Sequence, residues 1–179
     1  MAQELQTALS ILEKAIRTEL DGQEMYREAA ERTTDPRGKQ VFEDLIQEEQ
    51  GHLQLLQRQF DSLRSTGKWA PMEKAGSGPA SAPSPQIFPK GQRSIEATIP
   101  PAASDLDALK IAMEFERRGY AAYRKAAETS ADPTAKAVYE YLAKEENRHY
   151  VVLEKTHTYL ASNGVWSFYE IERPHFDGG

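Results

Sequence analysis

The sequence predicts an all-α protein, a four-helix bundle made of two repeated helical hairpins joined by a long crossover linker. Three observations predict it. Sliding the chain by 97 residues aligns Thr7 to Trp69 with Ser104 to Trp166 without a gap, and 24 of the 63 aligned pairs are identical, which marks a duplicated module. Within each copy, apolar residues recur at three- and four-residue steps. Between the copies lies a stretch whose composition cannot build a core.

The first arm runs from about Thr7 to Arg32, with Leu9, Leu12, Ile16 and Tyr26 on one face; its repeat from Ser104 carries Leu106, Leu109, Met113 and Tyr123. The arms end at Asp35-Pro36 and Asp132-Pro133, where a carboxylate can cap the next helix and proline suits its first position. Second arms follow with Val41, Leu45, Leu53, Leu56 and Leu63, and with Val138, Leu142, Tyr150, Leu153 and Leu160, until Gly67 and Gly164 supply left-handed stops. Hairpin 1 thus covers about residues 7–66 and hairpin 2 about residues 105–163 of a single domain. The connecting residues 67–104 hold seven of the ten prolines, and a proline-rich segment of that length can cross the roughly 38 Å of a 25-residue helix. The second hairpin is expected to pack on the first with the same polarity. The tail, residues 164–179, contains Trp166, Phe168, Tyr169 and Phe176 and is expected to pack on the bundle or on a neighbour. Trp69 and Trp166 match in the repeat and read as equivalent plugs at helix ends.

Composition narrows the chemistry. With 22 basic against 28 acidic residues the formal charge is -6, which argues against nucleic acid and anionic membrane as partners. No export signal or spanning segment is read from the sequence, so the expected compartment is the cytoplasm. The absence of cysteine excludes disulfides, iron-sulfur clusters and thiol nucleophiles, so any metal must take oxygen and nitrogen ligands.

Glu49 and His52, and again Glu146 and His149, form two Glu-x-x-His motifs on second arms; the three-residue step puts both side chains on one face. Helical spacing places His52 between Leu45 and Leu56, and His149 between Leu142 and Leu153, so both aim at the core. Glu19 lies seven residues from Leu12 and from Tyr26, as Glu116 does from Leu109 and Tyr123, so these point inward too. Four buried carboxylates without counterions would each cost several kcal/mol, against a domain stability of about 5–15 kcal/mol. Two divalent cations would balance them. Carboxylate and imidazole together suit iron or manganese, and availability leaves zinc open. Glu43, Glu48, Glu140 and Glu145 also repeat but fall off the apolar stripe and read as solvated faces. His157 and His175 read as surface or tail residues.

At these residues the chain resembles the rubrerythrin family of the ferritin-like superfamily, over both hairpins. The resemblance implies that Glu49 and Glu146 bridge two irons, that Glu19 and Glu116 are terminal ligands, and that His52 and His149 each serve one iron. It also implies that Tyr26 and Tyr123 hydrogen-bond ligand carboxylates, although core filling explains them as well. Two departures stand out. The cysteine-ligated rubredoxin-like domain of a typical member is missing, so electrons must come from an external donor such as a rubredoxin-like protein. Three residues after the lone glutamate the family pattern has an additional carboxylate in its third helix, whereas Gly22 and Gly119 occupy both equivalent places here, which suggests either room for a small oxidant or a shifting carboxylate, or close helix packing.

The resemblance implies a diiron oxidoreductase that reduces hydrogen peroxide, with a role in oxidative stress, in a homodimer. A ferroxidase using dioxygen and a non-enzymatic metal-binding bundle are the alternative readings of the same six ligands.

Overall fold

The structure, a computed structural model, describes residues 2–72, 99–100 and 103–166. Most of the crossover, and the tail beyond Trp166 with Phe168, Tyr169, His175 and Phe176, lie outside the described residues. Among the described residues there are four helices: α1 (Ala2–Arg32), α2 (Pro36–Thr66), α3 (Asp105–Thr129) and α4 (Pro133–Asn163). α1 begins five residues before the start that its apolar spacing suggests, because that spacing locates a buried face and not a fraying end.

The helix ends follow the residues anticipated for them. Asp35 accepts a hydrogen bond from the Arg37 amide at 2.8 Å, and Asp132 accepts from the amides of Thr134 and Ala135, each just ahead of a proline in the first turn. Ser104 and Asp107 form a reciprocal capping box at the start of α3. Gly67 and Gly164 adopt φ of 70° and 65°, and their amides close α2 and α4 on the carbonyls of Leu63 and Leu160.

The two hairpins run in opposite directions, which overturns the expectation of equal polarity. At one end of the bundle Arg32 donates to the carbonyls of Ile99 and Ala103, each at 3.1 Å. There Thr33 donates to Asp105, and Trp166 donates to Asp105 while packing edge-on against Phe42. The end of α1 therefore lies beside the start of α3. At the other end Trp69, just past α2, packs edge-on against Tyr139 near the start of α4. A pseudo-two-fold axis thus crosses the bundle perpendicular to its helices. The physical reason for the long linker follows: α3 starts at the far end from where α2 stops, so the chain must travel the bundle's length. The two tryptophans plug opposite ends, and Trp166 lies flat over Gly38, where an added Cβ would stand 2.7 Å from its Cδ2.

The apolar interior is split in two. One cluster gathers Met25, Phe42, Leu45, Leu109 and Leu153; the other gathers Leu12, Leu53, Leu56, Tyr139 and Leu142. Each fully buried leucine contributes about 1.5–3 kcal/mol, so the bundle is held from both sides of a polar belt at mid-height. Among the described residues no helix is long and apolar enough to cross a membrane.

Candidate metal centre

The polar belt consists of Glu19 from α1, Glu49 and His52 from α2, Glu116 from α3, and Glu146 and His149 from α4. None is more than 3% exposed, although four are carboxylates. The helical period explains their convergence: each lies on the same stripe as buried leucines or tyrosines above and below it.

The arrangement has internal symmetry. The two imidazoles stack with centroids 5.4 Å apart and planes 21° from parallel. Around His52 Nδ1 stand Glu19 Oε2 at 3.3 Å, Glu146 Oε1 at 3.5 Å and Glu49 Oε2 at 3.6 Å. Around His149 Nδ1 stand Glu49 Oε1 at 3.0 Å and Glu116 Oε1 at 3.6 Å. The two oxygens of Glu49 therefore face different histidines. Tyr26 donates its hydroxyl to Glu116 Oε1, and Tyr123 donates to Glu19 Oε1, so each lone glutamate is gripped through one oxygen by the opposite hairpin.

What remains is a set of buried polar atoms with no hydrogen-bond partner: Glu19 Oε2, Glu49 Oε1, His52 Nδ1, Glu116 Oε2, Glu146 Oε1 and His149 Nδ1. One atom comes from each of the six side chains, and such orphans are costly in a protein interior. They fit cations. Two overlapping groups, Glu19, Glu49, His52 and Glu146, and Glu49, Glu116, Glu146 and His149, bring their ligand atoms within 4.8 Å of one another. Glu49 and Glu146 belong to both.

The electrostatics without a cation carry the same strain. Burial, and then the charge of Glu49, push the Glu19 carboxyl up to about 8. Burial, followed by the charges of Glu116, Glu49 and Glu19, raises Glu146 well above the carboxylate range. Burial opposes charge on His52, but the carboxylates of Glu146, Glu19 and Glu49 raise it well above its ordinary value. At Glu19, Glu146 and His52 protons therefore occupy the place that cations would take, while at Glu49 the cost of burial is outweighed by polar contact with Glu19, His149 and His52, which holds its carboxyl well below the carboxylate range.

Gly22 and Gly119 flank the belt. A Cβ at Gly119 would collide with the Glu146 carboxylate, its Cδ standing 3.1 Å away; one at Gly22 would meet Phe115 Cε1 at 2.9 Å. Side chains thus fill the space at both positions, a carboxylate at one and a phenyl ring at the other.

A family model for rubrerythrin matches residues 10–157. The chain belongs to the rubrerythrin family. Membership implies a diiron-carboxylate protein, and the two groups of carboxylates and histidine could hold the ions. Solved structures agree on the fold. A hypothetical protein from Pyrococcus furiosus is 24% identical, with a TM-score of 0.64 over 90% of this chain and 93% of that one. A two-domain protein from Anabaena variabilis, with DJ-1/ThiJ/PfpI-like and ferritin-like domains, is 16% identical with a TM-score of 0.63, covering 88% of this chain. This rubrerythrin-family chain spans 38% of that protein's length. No curated protein matches the sequence.

Sequence reasoning missed Glu48. Instead of facing solvent it sits 2.7 Å from His149 Nε2 and accepts two bonds from Arg148, which with His149 outweigh burial and hold its carboxyl down at about 2. Glu145 is likewise partly buried against Arg148. Glu43 and Glu140 are solvated as expected, each loosely paired with a lysine one turn earlier. His157 is half-buried, with its Nε2 inside the protein, because α4 packs through that turn.

Proposed function

We propose that the protein is a dinuclear iron oxidoreductase that reduces hydrogen peroxide, using electrons from an external redox protein. The observation that carries the dinuclear part is the pair of Glu49 oxygens directed at two different histidines, with Glu146 common to both ligand groups. Glu49 and Glu146 would bridge, Glu19 and His52 would complete one position, and Glu116 and His149 the other. Carboxylate and imidazole donors suit iron. Family membership supports peroxide as the oxidant.

The side chains have separable tasks. Tyr26 and Tyr123 fix one oxygen of each terminal carboxylate and leave the other free to ligate. Burial and the surrounding carboxylates raise both phenols well above their ordinary range, so each keeps its proton on the hydroxyl oxygen at neutral pH. The apolar clusters above and below the belt keep bulk water from the reacting groups. When loaded, the reduced centre supplies the two electrons that, with two protons, turn one hydrogen peroxide into two waters. The 179 residues hold no cysteine with which to bind an iron-sulfur or rubredoxin-type centre, and the reading assigns the return of those electrons to an external redox protein.

Metal analysis comes first, and two irons per chain are expected. The anaerobic ferrous protein is then mixed with equimolar peroxide or dioxygen and its oxidation followed optically. Faster oxidation by peroxide is the expected result. Much faster oxidation by dioxygen, with iron taken up beyond two per chain, would instead assign a ferroxidase.

A further inference from the structure

Resting on the dinuclear reading above, we propose that the two metal positions are inequivalent. Glu48, clamped by Arg148, is a positioning residue that makes the position of Glu116 and His149 bind its ion more tightly than the position of Glu19 and His52.

The asymmetry starts in the sequence. The repeat equates Glu48 with Glu145 and Gly51 with Arg148, so the residue preceding the second histidine is an arginine and the residue preceding the first is a glycine. Arg148 grips Glu48 across the hairpin interface with two bonds, Nη1 to Oε1 at 3.2 Å and Nη2 to Oε2 at 2.7 Å. A fork of this kind fixes a carboxylate in direction as well as place. Glu48 Oε2 then lies 2.7 Å from Nε2 of the fully buried His149. With Nε2–H donated to Glu48, the lone pair of the ring is left on Nδ1, the atom that faces Glu49 and Glu116. A carboxylate behind a histidine fixes its tautomer and ring orientation and makes it a better donor.

The other half lacks this device. Glu145, the repeat equivalent of Glu48, accepts from Arg148 at 2.7 and 3.2 Å and is turned toward its own hairpin. Gly51 has no side chain with which to bring a carboxylate to His52. Among the described residues no carboxylate hydrogen-bonds Nε2 of His52; besides the stacked His149, the ring beside it is Tyr141, edge-on with centroids 6.3 Å apart. On the Nε2 side its imidazole is held by packing, with no carboxylate to orient the ring from behind. The same two ligand types, carboxylate and imidazole, are therefore backed differently on the two sides.

The test titrates the metal-free protein anaerobically with ferrous ion alone, in competition with a chromophoric chelator, to obtain two dissociation constants. The wild-type chain is expected to take its first ion about 10-fold or more tightly than its second, and Glu48→Ala to weaken the tighter ion by about 10–100-fold while sparing the weaker. Glu48→Gln, which keeps an acceptor for Nε2–H and the shape of the side chain, is expected to recover most of that loss. His52→Ala is expected to remove the weaker ion and retain the tighter one. Equal constants in the wild type, or equal weakening of both ions by Glu48→Ala, would overturn the inequivalence while leaving a dinuclear site. Failure to take up any ion would sink the dinuclear reading and this inference with it.

Discussion

Tyr26 on the first hairpin holds Glu116 on the second, and Tyr123 on the second holds Glu19 on the first. These crossed bonds join the hairpins at the level of the belt, where every partner is buried. Replacing either tyrosine with phenylalanine leaves a buried carboxylate oxygen without its donor. Tyr26→Phe and Tyr123→Phe should each lower stability by about 1–3 kcal/mol in denaturant unfolding, and a cost near zero for both would mean that the rings act only as filler.

Protons and cations compete for the same carboxylates, which sets a pH dependence for the metal-free protein. The Glu19 carboxyl is raised from 4.5 to about 8, so its contribution to stability is full below pH 4.5 and is lost as pH rises toward 8. Glu146, His52 and His149 are raised as well and act in the same direction. Calorimetry in the presence of chelator should therefore show Tm falling from about pH 5 to pH 8, with added metal raising Tm more at pH 8 than at pH 5. A chelated protein that gains stability over this range would contradict the assignment.

The two belt glycines should fail differently. At Gly119 an added methyl meets the end of the flexible Glu146 side chain, so Gly119→Ala should cost little stability, aided by the roughly 1 kcal/mol that alanine gains over glycine in a helix. Its metal affinity should nevertheless fall as the carboxylate is displaced. At Gly22 the obstacle is the Phe115 ring, so Gly22→Ala should lose about 1–3 kcal/mol through overpacking. Paired chemical unfolding and metal titration of both variants distinguish the effects, and identical behaviour would refute the distinction.

Gly38 lets Trp166 lie across the start of α2. A methyl there meets both the indole and Thr33 Cγ2, the latter at 2.6 Å. Gly38→Ala is expected to cost about 1–3 kcal/mol and to shift tryptophan emission to the red as the indole lifts off. Unchanged emission would show that the plug tolerates the methyl.

Much of this was legible because the duplication presents each signal twice. Asp35 and Asp132 announce helix starts, Gly67 and Gly164 announce stops, and the six belt residues share the register of neighbouring leucines. Hairpin polarity was not legible from periodicity, since a 3.6-residue pattern tells which face is buried and not which way a neighbour runs. Glu48 escaped notice for a related reason: it lies off the stripe of its own helix, and only the placement of α4 brings Arg148 and His149 to it. A signal did exist. Arg148 in the place of Gly51 is a break in the repeat beside a candidate ligand, and such breaks mark where two similar halves have acquired different work.

The axis relating the hairpins has one more consequence. Each group of four ligands takes three from one hairpin and a single shared glutamate from the other. A chain of half this length, associating with an identical copy across that axis, would assemble the whole complement from one kind of subunit.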